Sequence, residues 1–272
     1  MLSILKSALN SNSQEMGIVS NNIANANSTG FKKSTANFEH FYSIHNSTDP
    51  DTFSGMGVTS TAPRQQMSQG AFQATGGALD LAVSGQGFFT VIQGGQIEDP
   101  SFTRDGSFNI TADGTVVTND GLNVMGFIAN DQGVITETAI ENLVIPTTRT
   151  NLDNTTSIIS NINVNTRGKI TATYGLDTEV VIGSFALSKF TNEPGLSPVG
   201  NNRYKYNAKA GAPAYGVAMQ GSFGKIEAGN LERSNVDITV EMVNMLKTQQ
   251  AFSGVSRLLQ TEVDITKRLI DG

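Results

Sequence analysis

The sequence predicts an α+β protein: a long helix at each end, the two pairing as a coiled coil, and a mainly antiparallel β-rich domain between them. Three observations predict it. Near the C-terminus, Ile238, Met242, Met245, Gln249, Phe252, Ser256, Leu259, Val263, Thr266 and Ile270 recur in alternating steps of four and three, a heptad seam. At the other end Leu2, Leu5, Leu9, Asn12, Met16, Val19 and Ile23 repeat in the same way. Between them apolar residues alternate with polar ones, and Asp-Gly pairs punctuate the chain.

The first helix runs from residue 1 to about 28. Only Asn12 interrupts its apolar seam, and a polar residue at one seam position sets register. The helix stops near Asn25-Ala26-Asn27-Ser28-Thr29-Gly30, where asparagine and glycine accept left-handed angles. Residues 31–77 read as an extended arm and loop. Phe38, Phe41 and Tyr42 anchor a first part that continues as a helix or an extended arm, Asn46 to Gly57 is a polar loop around Pro50, and 57–60 and 70–73 are short strands.

Residues 78–228 form the β-rich domain. Leu79, Leu81 and Val83 alternate with polar or small neighbours, and Gly85-Gln86-Gly87 turns the chain into Phe88-Phe89-Thr90-Val91-Ile92. Asp105-Gly106, Asp113-Gly114 and Asp120-Gly121 each suit a tight hairpin turn. This explains the three aspartates better than catalysis or calcium binding does. Further alternation follows at Ile158, Ile159, Ile162 and Val164, and at Val180, Ile182 and Phe185.

Residues 229–272 hold the second helix. Ser234 or Asn235 caps its start, and Asp237 sits favourably near the positive end of the helix dipole. It has no proline and one interior glycine, Gly254, and at 1.5 Å per residue spans roughly 50 Å. Stripes like these suit a helix packed on its own domain as well as one seeking a partner helix. Their narrowness, and flanks rich in Asn, Ser, Thr and Gln, favour the partner.

The totals narrow the function. Of 272 residues, 18 are basic and 24 acidic, a net charge of −6. That argues against a nucleic-acid partner. Charged residues make up 15%, against a norm of about 25%, so much of the surface suits burial against other subunits. There is no cysteine, hence no disulfide and no thiolate metal site. His40 and His45 lie five apart in a polar stretch without a carboxylate pattern and read as surface residues, and the scattered basic residues Lys32, Lys33 and Arg64 read as solvated, with Lys32 set apart by its place in the motif of residues 21–32. No G-x-S-x-G, H-E-x-x-H or phosphate loop occurs, so neither an enzyme nor a cofactor is expected. The start lacks a basic leader and an apolar core, and no run is long enough to span a membrane. Export would need a route without such a leader.

Particular stretches resemble a known family. Asn21-Asn22-Ile23-Ala24-Asn25-Ala26-Asn27-Ser28-Thr29-Gly30-Phe31-Lys32 resembles the N-terminal signature of the bacterial flagellar rod and hook family. Gly85, Gly87, Phe88 and Phe89, followed by Thr103-Arg104-Asp105-Gly106-Ser107-Phe108, are similar to its β domain. Leu231-Glu232, Ser234-Asn235-Val236-Asp237, Glu241-Met242-Val243-Asn244-Met245 and Thr248-Gln249-Gln250-Ala251-Phe252 resemble its C-terminal signature, with Gln250 where the family usually has arginine.

The resemblance implies a structural subunit of the flagellar axis. Residues 1–30 and 232–272 would form an inner coiled-coil tube and residues 36–228 an outer layer. The subunit would assemble with itself in a helical tube, transmit torque and line the export channel. Its partners would be adjacent rod and hook proteins, the type III export apparatus and an assembly cap, with no membrane insertion. Its place would be the basal body or hook, periplasm-spanning to extracellular. Subunit contacts would fall on Leu2, Leu5, Leu9, Met16, Val19, Asn22, Ile23, Asn25, Asn27, Gly30, Phe31, Ser234, Asn235, Val236, Met242, Met245, Gln249, Phe252, Leu259 and Val263. The length favours a distal rod protein over a hook protein. The competing reading from another class, a β-rich adhesin with helical oligomerisation ends, needs an exposed aromatic platform, and the chain has no tryptophan.

Overall fold

The computed structural model describes residues 2–43, 54–94, 99–130, 133–135, 139–150, 156–175 and 178–271. His45, Pro50 and most of the loop expected from Asn46 lie outside them. The chain divides into two compact units: Met1–Ala26 with Lys32–Gln66 and Val236–Gly272, and Asn27–Phe31 with Met67–Asn235.

The first unit holds both long helices, α1 (Leu2–Ala24) and α2 (Ile238–Asp271). Asn25 closes α1, its amide donating to the Asn21 carbonyl as its backbone N–H does. The cap of α2 is Asp237, not Ser234 or Asn235. Asp237 Oδ1 accepts the backbone N–H of Thr239 (2.8 Å) and Val240 (3.2 Å), and its carbonyl accepts that of Glu241. A carboxylate satisfies two orphan donors and faces the helix dipole, which explains why it displaces the earlier Ser and Asn.

α1 packs on α2 and also on a hairpin of β1 (Ser34–Ser43) and β2 (Ser54–Gln65). The strands are antiparallel, with Thr35 opposite Arg64 and His40 opposite Val58. The 34–43 stretch, for which the sequence allows a helix or an extended arm, is therefore a strand, and the expected 57–60 strand is part of a longer one. Asn22 at the end of α1 meets Glu241 at the start of α2, so the helices run antiparallel.

Among the described residues, the second unit is built on a fourteen-stranded sheet. Its main path runs through Thr148–Thr150, Thr156–Val164, Lys169–Tyr174, Thr178–Phe185, Asn123–Ile128, Phe88–Ile92, Ser101–Thr103, Arg203–Lys205 and Ser197–Gly200, every pairing antiparallel. Successive strand residues point to opposite faces, so Phe88 and Phe89 serve two cores. Phe89 packs edge-on to Phe108 and Phe185 in a core with Leu81, Val124, Leu143 and Ile170. Phe88 packs edge-on to Phe190 and Tyr204, beside Phe102 and Leu196.

Two of the three Asp-Gly pairs form the expected turns. Gly114 (φ +82°) and Gly121 (φ +77°) donate to the carbonyls of Thr111 and Thr118, and the strands on either side pair. Asp105-Gly106 does not join paired strands: Ser101–Thr103 pairs elsewhere than Phe108–Ile110. Gly106 is needed there because the chain crosses Leu81, whose carbonyl oxygen would lie 1.7 Å from a Cβ. Asp105 Oδ1 accepts both the N–H and the hydroxyl of Ser107.

Candidate assembly surfaces

The residues of the two terminal signatures meet in space, and much of their bonding capacity is used within the chain. In the helical unit Glu241 is the centre. Its carboxylate is 1% exposed and accepts Lys33 Nζ (2.5 Å), Asn22 Nδ2 (3.0 Å) and Asn244 Nδ2 (3.4 Å). Asn22, also buried, donates to the Ser34 carbonyl and accepts the Ser34 N–H. A buried carboxylate is tolerable because a cation and amides surround it. Lys33 is thus paired and Lys32 is fully buried, so neither is a solvated residue; only Arg64 of that trio is exposed.

In the β unit the matching centre is Glu232. It lies against the buried Arg104 guanidinium (3.4 Å), and its Oε1 accepts the Gly70 N–H (2.9 Å). Arg104 also donates to the carbonyls of Val83 and Gly85 and stands over the Phe88 ring, 4.9 Å from its centroid. Burial pulls the Arg104 pKa below its ordinary value, and Glu232 opposes that shift. The Glu232 carbonyl accepts the Gly30 N–H (2.8 Å), and Thr29 bridges to Arg233, whose side chain donates to Asn27 Oδ1. Gly30 has φ +67°, and a Cβ there would sit 2.5 Å from the Asp105 nitrogen. Asn235 donates to both oxygens of Ser68.

Of the expected contact residues, Val19, Asn22, Gly30 and Ser234 are buried by their own chain. Leu5, Leu9, Met16, Ile23, Asn25, Phe31, Asn235, Val236, Met245, Phe252 and Leu259 are half-buried. Leu2, Asn27, Met242, Gln249 and Val263 are exposed. The face that α2 turns to its own chain follows Glu241, Asn244, Met245, Thr248, Phe252, Val255, Ser256, Leu259 and Glu262. It shares Met245, Phe252, Ser256 and Leu259 with the seam read from the sequence but takes Glu241 and Thr248 in place of Met242 and Gln249. The inward pull on Glu241, from Lys33 and Asn22, accounts for the rotation. Sequence reasoning missed Glu241, Glu232 and Arg104 as anchors. The available signal was a lone carboxylate amid Ile238, Val240, Met242 and Val243.

Apolar residues of α2 stay outside: Val240, Met242, Val243, Leu246, Leu258, Val263, Ile265, Leu269 and Ile270. Among the described residues no group of three or more His, Asp or Glu side chains is placed to hold a metal ion, and no helix is long and apolar enough to cross a membrane. The site offers surface and shape for association.

Comparison with known proteins gives the same result from each part of the chain. Residues 2–32 match the family described as flagella basal body rod protein, 82–172 the flagellar hook protein FlgE/F/G D1 domain, and 227–271 the flagellar basal body rod FlgEFG protein C-terminal. The flagellar basal-body rod protein FlgG of Agrobacterium fabrum is 30% identical over 275 residues, covering 96% of this chain and 94% of that protein. FlgG of Bacillus subtilis is 30% identical over 94% of this chain and 92% of its own length. The flagellar hook protein FlgE of Salmonella typhimurium is 32% identical over 40% of this chain and 27% of its own length. With helices at both ends, an antiparallel β-rich centre and near full-length similarity to rod proteins, the chain belongs to the bacterial flagellar rod and hook protein family.

Proposed function

We propose that this chain is a self-assembling subunit of the distal rod, a tubular part of the flagellar axis, with no catalytic activity. Residues 1–30 and 232–272 pair as a coiled coil and form the inner tube, and residues 36–228 form the outer layer. Identical copies associate through heterologous contacts that do not close, which generates a filament. The tube transmits torque and leaves a channel for export. Its neighbours are further rod and hook subunits, with the export apparatus and an assembly cap acting during growth.

The observation that carries this reading is the outer side of α2. A soluble monomer rarely exposes a contiguous row of large apolar residues, and such rows mark association surfaces. Here Met242, Val243 and Leu246 follow one another around the first turns, with Leu246 58% exposed. The rod reading is favoured over the hook by extent: the similarity spans 94% of a rod relative and 27% of a hook relative.

Electron microscopy of the concentrated full chain tests it. Straight tubes are expected, and they should be lost in a Val243→Asp, Leu246→Asp chain. Curved tubes would favour the hook. Discrete closed oligomers, or tubes indifferent to the two substitutions, would overturn the reading.

A further inference from the structure

Leu258 apart, the large apolar residues that α2 exposes are gathered at its two ends, and on different sides. On the outer side Met242, Val243 and Leu246 stand near its start. Beyond them the same side carries Gln249, Gln250, Ser253, Arg257 and Gln260, all exposed. An apolar patch thus gives way to a polar surface within about two turns.

The group at the other end lies on the side turned toward α1. Glu241, Thr248, Val255, Glu262 and Leu269 form one line in steps of seven. The first four are buried or half-buried, whereas Leu269 is 78% exposed. From Val263 to Asp271 every residue is exposed, so the contact stops while the helix continues. At about 3.6 residues per turn, Val263, Ile265, Leu269 and Ile270 share an arc of roughly 160° in that stretch. Asp264, Lys267, Arg268 and Asp271 share the opposite side, where water suits them. The apolar arc continues a helix–helix contact, and its shape is that of a surface made for a helix.

Which helix covers it follows from what the helices expose. α1 exposes Leu2 and Ile4 at its start, which in an antiparallel pair lies toward the end of α2 that is already bare. From Lys6 onward it exposes no large apolar residue, and its open side holds Asn10, Ser13, Gln14 and Ser20. The outer start of α2 is the helical surface with apolar residues to offer. It lies roughly 35 Å from Leu269 along the same helix, so the two can meet only between copies. We infer that the end of α2 lies on the outer start of α2 in a second copy, with Leu269 and Ile270 against Val243 and Leu246. Each copy has both surfaces, and they differ, so the contact repeats without closing. The polar stretch between them sets the register, since any other overlap lays apolar side chains on Gln249, Gln250, Ser253 or Arg257. The inference rests on the self-assembly reading above and names the segment that the apolar row receives.

The first test replaces Leu269→Lys and Ile270→Lys together, lysine being well tolerated near a helix C-terminus. Ser253→Lys, on the polar part of the outer side, is the control. These side chains are bare in the free chain, so thermal midpoints should stay close to that of the wild type. The double variant should raise the critical concentration for tubes about tenfold or more, and the control should change it less than about twofold. A double variant that assembles as wild type does, or a control that is as damaging, would overturn the contact. The second test identifies the partner surface and uses the absence of cysteine. Leu269→Cys chains are mixed with Val243→Cys, Leu246→Cys, Arg257→Cys or Gln14→Cys chains and mildly oxidised as tubes. A disulfide dimer of the two different chains should form with Val243→Cys or Leu246→Cys and not with the other two. Tubes that link only through Arg257→Cys or Gln14→Cys, or through none, would also overturn the inference. A wild-type chain that never forms tubes would instead sink the self-assembly reading, and this contact with it.

Discussion

At the scale of single residues, the two glutamates of the C-terminal signature serve as buried anchors. Glu232 is 1% exposed and is ion-paired with Arg104, itself 3% exposed. Removing one partner of such a pair leaves a charge without compensation, which costs about 3–5 kcal/mol. Glu232→Ala should therefore lower the stability of the β unit by about that much in urea unfolding, while the double replacement Arg104→Met, Glu232→Leu should lose clearly less. Equal losses would mean that the pair is not the anchor. Tyr204 gives a pH signature in the same core. Burial pushes its phenol above the ordinary value, with Arg104 pulling the other way. The folded state thus keeps a proton that the unfolded state gives up near pH 10. Stability from this group is intact below about pH 10 and falls as pH rises toward the folded pKa. A urea series from pH 8 to 11 should show a steeper decline for wild type than for Tyr204→Phe. None of these anchors was legible as an anchor beforehand. Arg104 and Glu232 stand in recognisable motifs, but burial of a charge depends on what surrounds it in space, and no local spacing encodes that.

At the scale of elements, periodicity gave both helices and most strands, because the apolar stripe and the pleat are local consequences of backbone geometry. It did not give the rotation of α2. Met242 and Glu241 differ by one residue, and hydrophobicity alone chooses Met242 for the inside. Lys33 and Asn22, two hundred residues away in sequence, choose Glu241. Strand β1 was equally hard to read, since Ser34–Ser43 mixes Phe38 and Phe41 with polar residues and pairs with Ser54–Gln65, further along the chain. The rotation makes opposite predictions for neighbouring residues of one helix. Met242→Lys lies on the exposed side and should change monomer stability by no more than about 0.5 kcal/mol, as surface substitutions do. Phe252→Ala lies on the half-covered side and should cost about 2 kcal/mol, less than the value for a fully buried ring. Circular dichroism at 222 nm during thermal unfolding measures both. If Met242→Lys is the more damaging, α2 is turned as its hydrophobic seam alone would have it.

At the scale of the whole molecule, the β unit and the helical unit differ in how much of their apolar surface the chain itself covers. Phe88, Phe89, Phe102 and Phe185 in the β unit are fully buried, whereas Leu258, Ile265, Leu269 and Ile270 in α2 stay exposed. Local opening needs little free energy where few apolar contacts are lost, and most helical stability comes from packing of an apolar face. The free chain should therefore exchange its amides unevenly. Slow exchange is expected across the sheet, intermediate exchange along α2 from Glu241 to about Leu259, and fast exchange from Val263 onward, where α1 no longer reaches. Assembly covers what the single chain leaves bare, so the same amides should gain at least tenfold protection in tubes while those of the sheet change little. Hydrogen exchange read by mass spectrometry on the full chain, below and above its critical concentration, measures both states. If the last turns of α2 are already as protected as the sheet in the free chain, their apolar row is not held open for a neighbour. If they stay fast inside the tubes, the neighbour lies elsewhere.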